Sequence, residues 1–346
     1  MRFVALLSVS LLFIACEQTS NVDAVGASST QRAAFGGGNL PTDAAGFLLR
    51  PPQFTYVEDS TVYLEREVEV PSNTTAGGFH VFHEVLRVDG QGRFSLNIIE
   101  AMLAGATTFS APSVDLEITY HDQQRYMVQY RDVHLGLSHG LLQNFRWTED
   151  PVLQQIAGVD CLHFTAESVY SLGDAEFWVD ASNDMLLAYT LFDNAGDVTL
   201  KLTTTVIDTT PVHNGVGWSS SLVDEQIYDP NSNTITLDYA VSQPVYLPPG
   251  FYQKNARVLD SFGMFQGMGN MHVALYSDGI HQIFVAQHSD SSSTGMGLSS
   301  LEVNLARYSE IGGIRMVEGN PPLKKVYVVG QMPREEIHTV FSSLFY

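Results

Sequence analysis

The chain has 346 residues, with 17 Lys and Arg against 38 Asp and Glu, and its formal net charge at pH 7 is −21. This charge argues against nucleic-acid binding, which needs clustered Lys and Arg, and against a peripheral protein that a basic patch holds to anionic lipid. The hydrophobic share of 45% is sufficient for a sizeable core, and the length predicts two domains.

Residues 1–16 have the features of a lipoprotein signal. The apolar run from Phe3 to Ala15 is too short to cross a membrane as a helix, but it is typical of a secretory signal. It ends in Phe13-Ile14-Ala15-Cys16, which resembles the bacterial lipobox, where a small residue precedes a cysteine that becomes lipidated. We therefore predict lipidation at Cys16. The alternative is an ordinary signal peptide cut nearby, with the cysteine incidental.

The next segment predicts where the protein is held. Glu17 follows the cysteine, which in the sorting rule familiar from enteric bacteria resembles an outer-membrane destination. Residues 17–52 are rich in small and polar residues and have no sustained period, so we predict a flexible tether with a spread of roughly 30–35 Å. We expect the protein in the periplasm of a Gram-negative bacterium, where it is anchored to the outer membrane through lipid only.

Residues 53–212 predict an antiparallel sheet. Extended runs rich in β-branched and aromatic residues alternate with turn signals, and no βαβ alternation occurs. In the first run, one face carries Val62, Leu64, Arg66, Val68 and Val70, which is the pattern of a half-buried strand. The predicted strands are 61–70, 79–88, 125–130, 160–166, 175–179 and 186–192, with a helix at 137–146.

A second domain is predicted at 233–346, after a Gly- and Ser-rich linker at 213–232. Its predicted strands are 234–241, 271–276, 282–287 and 325–329. After Pro333 the apolar residues recur on one stripe, which predicts a terminal helix. The stripe consists of Ile337, Val340, Phe341 and Leu344.

Several short motifs occur in a recognisable order. Trp178-Val179-Asp180 and Asp193–Gly196 lie in the first domain, and Leu247–Phe251 (LPPGF), His272–Val285 (which contains YSDG) and Val328–Pro333 (VVGQMP) lie in the second. In order and spacing they resemble the RseB/MucB family, the periplasmic regulators of envelope-stress sigma-factor pathways. The resemblance covers roughly residues 160–346 well and residues 54–150 loosely.

The resemblance implies a mainly β, α+β chain. The N-terminal domain would be a curved antiparallel half-barrel, similar to the lipoprotein carriers LolA and LolB, and the C-terminal domain a smaller α+β unit. It also implies a non-catalytic protein that binds the periplasmic part of a membrane-anchored anti-sigma factor and shields it from proteolysis. A curved sheet with an apolar concave side suits the acyl chain of a lipid or lipoprotein.

Two other functions stay open, a lipid or lipoprotein carrier (or outer-membrane lipoprotein receptor) and a hydrolase with an unrecognised site. No nucleophile elbow, Walker loop or dinucleotide fingerprint follows a predicted strand, so we expect no catalytic residue, cofactor or metal. His80 and Glu84 would share one face of a strand and His83 the other, which favours surface histidines. We also expect His272 and His281 at the surface. Cys161 lies in an apolar run and predicts a buried, inert thiol.

Overall fold

The computed structural model contains two antiparallel sheets. It describes residues 42–55, 57, 60–72, 75–133, 139–218, 237–259, 271–289, 306–311, 313–320 and 324–345. The strands are β1 (Thr61–Pro71), β2 (Phe79–Asp89), β3 (Phe94–Met102), β4 (Phe145–Ile156), β5 (Val159–Ser168), β6 (Ala175–Asp180), β7 (Leu186–Phe192), β8 (Val198–Asp208), β9 (Tyr252–Leu259), β10 (Met271–Ser277), β11 (Gln282–Ser289), β12 (Arg307–Ile311), β13 (Ile314–Gly319) and β14 (Lys324–Gly330). The helices are α1 (Val114–Tyr126), α2 (His139–Asn144) and α3 (Arg334–Ser342), with a π-helical turn at Met127–Arg131 and a 3₁₀ turn at Ser343–Phe345.

The first sheet has eight strands in the order β3-β2-β1-β8-β7-β6-β5-β4. Its two edge strands, β3 and β4, do not pair with each other, so the sheet is an unclosed barrel. Strand β1 alternates as predicted, because the side chains of its apolar face, Arg66 included, are all buried. The predicted N-terminal half-barrel is confirmed. The predicted strands 61–70, 79–88, 160–166, 175–179 and 186–192 all lie within observed strands.

The predicted strand at 125–130 is wrong. These residues form the end of α1 and most of the π-helical turn that follows it. The helix forms because the buried residues of this segment recur at helical spacing, so that they cover the inner face of the first sheet. They are Tyr120, Gln124, Met127, Val128 and Arg131. The β-branched and aromatic composition of 125–130 favours a strand, but packing against the sheet decides for a helix.

The segment between β3 and β4 connects the two edges of the first sheet, so it has to cross the sheet. It does so over the inner face, where α1 packs against β3. Helix α2 lies within the predicted helix 137–146 but is shorter, because β4 begins at Phe145.

The second sheet has six strands in the order β12-β13-β14-β11-β10-β9. Both of its faces are apolar, and α3 covers one of them through the predicted stripe, all of which is buried. The predicted strands 271–276, 282–287 and 325–329 and the terminal helix are confirmed, and the smaller α+β unit with them. In the predicted strand 234–241, residues 237–241 form no strand, and the rest lies outside the described residues.

The proposed tether and linker are described only in part. Of residues 42–52, Leu48 contacts the first sheet, since its amide donates to the Trp147 carbonyl at 2.7 Å, and Pro51 and Pro52 are buried. The linker at 213–232 is described as far as residue 218. Among the residues that the structure describes, no helix is both long and apolar enough to span a membrane.

Candidate functional site at the domain junction

Four charged side chains lie together on the inner face of the first sheet, where Arg66, Glu84 and Arg131 are buried and Asp132 is 16% exposed. Arg66 on β1 binds Asp132 at 2.5 Å (Nη1 to Oδ2), and Arg131 in the π-helical turn binds Glu84 on β2 at 2.9 Å (Nη2 to Oε1). Both guanidinium groups are at most 3% exposed. Two positive and two negative charges make this buried charge cluster neutral, as a site with little solvent requires.

The strand register brings the cluster together. Arg66 and Glu84 are cross-strand partners on β1 and β2, with Nη2 at 3.7 Å from Oε2. Arg131 also reaches Asp132 at 3.1 Å, so it lies between both carboxylates. Burial alone would lower the pKa of Arg131, but Glu84 and Asp132 raise it well above its ordinary value. Burial alone would raise the pKa of Asp132, but Arg66 and Arg131 hold it below its ordinary value.

Two tyrosines complete the polar interior. Tyr189 on β7 donates from its hydroxyl to the backbone carbonyl of Arg131 at 2.8 Å. Burial raises the pKa of Tyr189 and of Tyr120 well above the ordinary value, and the charges of Asp132 and Glu84 respectively add to this. Both phenols therefore stay neutral, and Tyr189 acts as a hydrogen-bond donor.

A cavity of about 30 Å³ lies beside the cluster. This volume accommodates about two water molecules and is far below the several hundred Å³ of a pocket for an acyl chain. Its lining is formed by Phe54, Thr55, Val57, Arg66, Leu86, Val128, Asp132, Val133, Leu186, Tyr189 and Leu202. The inner face is thus apolar around a charged centre, and α1 with its π-helical turn fills most of it.

A buried side chain of the second domain hydrogen-bonds to the segment that carries the charge cluster. Gln331, which follows β14, donates from Nε2 to the carbonyl of Arg131 at 2.5 Å. Arg315 on β13 donates in turn to the carbonyls of Gln331 and Met332, at 3.2 and 3.3 Å. The Arg131 carbonyl therefore accepts one hydrogen bond from each domain, with Tyr189 as the donor from the first.

A second contact between the domains centres on Asn144, the last residue of α2. Its buried side chain donates to the carbonyl of Gly250 at 2.9 Å and to that of Asp278 at 2.7 Å. Gly250 belongs to LPPGF and Asp278 to YSDG. Gly250 and Asp278 are 28 positions apart in the chain, so the two motifs meet at a single side chain of the first domain.

The backbones approach closely at this contact. A Cβ atom on Gly140 would lie 2.8 Å from the Asp278 carbonyl oxygen, and one on Gly279 would lie 2.8 Å from the Leu141 nitrogen. Gly279 also has φ +114°, which a side chain rarely tolerates. Gly279 therefore serves both the tight turn at 277–279 and the close contact with α2.

Apolar packing extends across the junction. Residues of the second sheet that face away from α3 belong to the same buried cluster as the inner face of the first sheet. They include Met271, Val273, Leu275, Phe284, Ala286, Ile314, Met316, Tyr327 and Val329. The face of the second sheet that α3 leaves free is therefore covered by the first domain.

The histidine predictions have mixed outcomes. His83 lies between Glu67 and Glu100 on the neighbouring strands, at 3.0 and 3.3 Å, as a cross-strand histidine on the outer face. Glu84 points inward instead. Across the described ranges, no group of three or more His, Cys, Asp and Glu is arranged to hold a metal ion.

The prediction that His272 and His281 lie at the surface is wrong, because both are 4% exposed. Each belongs to the second sheet or its turn, which is covered on both sides. His281 contacts Asp278 at 2.8 Å. Burial, with a contribution from Lys324, lowers the pKa of His272 to about 4, so this side chain is neutral at pH 7.

Of the two cysteines, Cys161 lies in the described part of the chain and Cys16 does not. Cys161 on β5 is fully buried, as predicted, and burial raises its pKa to about 11, which favours an inert thiol. Cys16 lies outside the described residues, so its lipidation stays a prediction.

The sequence gives little indication of the residues that form the charge cluster and the contacts between the domains. Arg66 does give a signal, because a charge on an otherwise apolar strand face needs a buried partner. Asn144 and Gln331 give none, since each binds backbone carbonyls that are remote in the chain, and the identity of their partners depends on how the domains pack.

Comparisons with known proteins give structural matches only. No protein-family model matches the chain, and no curated protein matches its sequence. A crystal structure of MucB is 14% identical with a TM-score of 0.46, covering 83% of this chain and 92% of that chain. The Pseudomonas aeruginosa MucA/MucB complex is 14% identical with a TM-score of 0.39, covering 82% and 92%. A putative outer membrane lipoprotein-sorting protein domain from Vibrio parahaemolyticus is 9% identical with a TM-score of 0.19, covering 47% and 89%. The chain is similar to the MucB structures over most of both lengths, at low identity.

Proposed function

We propose that this protein is a non-catalytic envelope regulator that binds the periplasmic part of a membrane-anchored anti-sigma factor and shields it from proteolysis. The observation that carries the proposal is the position of the motifs that resemble the RseB/MucB family. LPPGF and YSDG meet at Asn144, and VVGQMP reaches Arg131 through Gln331. Three motifs that are far apart in the chain thus all make hydrogen bonds between the two domains, which favours a common architecture over chance similarity of short strings.

The proposed location is the periplasm, with a lipid on Cys16 holding the chain to the outer membrane. The signal-like segment 1–16 and Glu17 support this location, and the negative charge supports it against attachment by a basic patch. The same charge disfavours direct binding of polyanionic lipopolysaccharide.

The experiment is a binding measurement with a purified Cys16→Ser chain, which stays free of lipid. Its partner is the periplasmic segment of the anti-sigma factor encoded by the same organism. We expect saturable binding by calorimetry and slower cleavage of that segment by its protease, and we expect higher sigma-factor activity in a strain that lacks this protein. Absence of both binding and protection contradicts the proposal.

The same strain tests the alternative of a lipoprotein carrier or receptor. Loss of a lipoprotein receptor leaves other lipoproteins in the inner membrane, whereas loss of a regulator leaves their distribution unchanged. An acyl chain on the inner face requires residues 114–133 to move, because the cavity beside the charge cluster holds only about two waters. Native mass spectrometry of the purified chain tests for such a lipid.

A further inference from the structure

The inner-face segment, residues 114–133, covers the inner face of the first sheet. Its buried side chains, from Tyr120 to Val133, form one stripe against β1, β2 and β3. Gln124 also accepts a hydrogen bond from the backbone of Leu96 on β3 at 3.3 Å. Among the described side chains of α1, Val114 and Ile118 are exposed. The segment therefore buries one stripe of side chains against the inner face.

A side chain of the second domain, Gln331, binds the C-terminal end of the inner-face segment. The Arg131 carbonyl, which ends the π-helical turn, accepts the Gln331 amide, and Gln331 is itself buried at 4% exposure. The side chain of Arg131 binds Glu84 on β2. One residue thus connects the first sheet, the segment that covers it and the second domain.

The hydrogen bond of Gln331 to Arg131 is one holding point between the domains. The second holding point is Asn144, whose side chain donates to two carbonyls of the second domain. It ends α2, on the same connection between β3 and β4. Both points are hydrogen bonds between a buried side-chain amide and remote backbone carbonyls, and both cross the junction. Neither belongs to the regular pairing of a sheet, so both are lost when the domains separate.

We propose that Gln331 and Asn144 form an interdomain latch: the second domain, docked through these two amides, holds the inner-face segment onto the first sheet, and separation of the domains releases the segment and exposes the apolar inner face. The latch couples the arrangement of the domains to access to the interior. It stands independently of the proposed partner.

While the domains are docked, lifting the inner-face segment off the first sheet breaks its contacts with both domains. A released Arg131 carbonyl loses the Gln331 donor, and the apolar residues shared across the junction lose part of their cover. With the second domain displaced, only contacts within the first domain oppose opening. Separation of the domains therefore favours the open state by the free energy of the lost contacts.

The test is hydrogen–deuterium exchange on the folded Cys16→Ser chain and its Gln331→Met variant. Methionine keeps the length and most of the volume but donates no hydrogen bond, while Tyr189 still satisfies the Arg131 carbonyl. We expect exchange in peptides covering 114–133 to accelerate about 2- to 10-fold, the effect of one lost hydrogen bond. Peptides of β5 to β7, residues 159–192, keep their rate.

The matched control is Tyr246→Phe. It removes a hydrogen bond of 3.0 Å from Tyr246 to Glu336 within the second domain, on the side of α3. We expect this variant to leave exchange in 114–133 unchanged. Equal acceleration in 114–133 by both variants would overturn the latch, because it would mean that any loss of stability in the second domain has this effect.

A second variant, Asn144→Ser, tests the other holding point and serves where Gln331→Met does not fold. It lies outside the inner-face segment, so faster exchange in 114–133 supports coupling through the domain arrangement. We also expect both latch variants to bind more of the apolar fluorophore cis-parinaric acid than the parent chain. Unchanged exchange in 114–133, or equal acceleration in 159–192, overturns the proposal. The assay contains no partner protein, so this failure is distinct from failure of the proposed function.

Discussion

Glu84 and Arg131 form an ion pair with no solvent exposure, 47 residues apart in the chain, with 2.9 Å between Oε1 and Nη2. Glu84 lies on the second strand and Arg131 on the segment that covers the sheet. The pair therefore links the sheet to the segment that covers it. Shifting the segment along the sheet would separate Arg131 from Glu84, which is costly because both side chains are fully buried.

The first prediction concerns this pair. We expect Glu84→Leu to lower the free energy of unfolding by about 3–5 kcal/mol, because it leaves Arg131 buried with only Asp132 to share with Arg66. The double variant Glu84→Leu/Arg131→Met keeps the Arg66–Asp132 pair and is expected to lose much less. Urea unfolding followed by circular dichroism measures both. Equal losses in the single and double variants would show that packing, not charge, is the cause.

Acid stability should depend on Asp132. Its folded pKa lies below its ordinary value because Arg66 and Arg131 outweigh burial, so its contribution to stability is present above the unfolded pKa of about 3.9 and is lost as the pH falls through the folded value. We expect Asp132→Asn to be less stable than the parent chain at pH 6, with the difference shrinking toward pH 2. Urea unfolding across this range measures it, and a difference that does not change with pH contradicts the assignment.

His272 predicts a second pH dependence in a separate window. Its pKa is about 4 in the folded chain against about 6.5 unfolded, so the unfolded chain binds the extra proton between these values. Stability from the neutral side chain is complete above pH 6.5 and falls as the pH drops toward 4. Between pH 7 and 4.5 we expect the parent chain to lose about 2–3 kcal/mol more than His272→Gln. Parallel losses in the two chains would refute the prediction.

The thiol of Cys161 should be unreactive while the protein is folded. In the Cys16→Ser chain it is the only thiol, it is fully buried, and its pKa is about 11. We expect no release of thionitrobenzoate from Ellman's reagent at pH 8 under native conditions and one equivalent after denaturation in urea. Rapid labelling of the native chain would mean that β5 opens locally.

Membrane attachment should depend on Cys16. We expect the native chain to incorporate labelled palmitate and to sediment with the outer-membrane fraction, and Cys16→Ser to do neither. A matched control is Cys161→Ala, which removes the other cysteine and should leave labelling and sedimentation unchanged. A Cys16→Ser chain that still carries the label in the membrane fraction would contradict the anchor.

Some features could be predicted from local pattern because they depend on neighbours along the chain. Alternation from Val62 to Val70 predicts the first strand and its buried face, and the stripe of α3 predicts the terminal helix and the residues it buries. The turn at Ser277-Asp278-Gly279 follows from its glycine, and the apolar surroundings of Cys161 predict its burial.

The tertiary structure alone decided the remaining features. Residues 125–130 have the composition of a strand but form a helix and a π-helical turn, because the connection between two edge strands has to cross the inner face of the sheet. His272 and His281 are buried because the first domain covers the second sheet. The sequence by itself therefore determined the strand pattern, the turns and a candidate anchor at Cys16. Only the packing of the domains brought Asn144 and Gln331 to their carbonyl partners, since a side-chain amide can bind any backbone carbonyl and its spacing in the chain does not indicate which one.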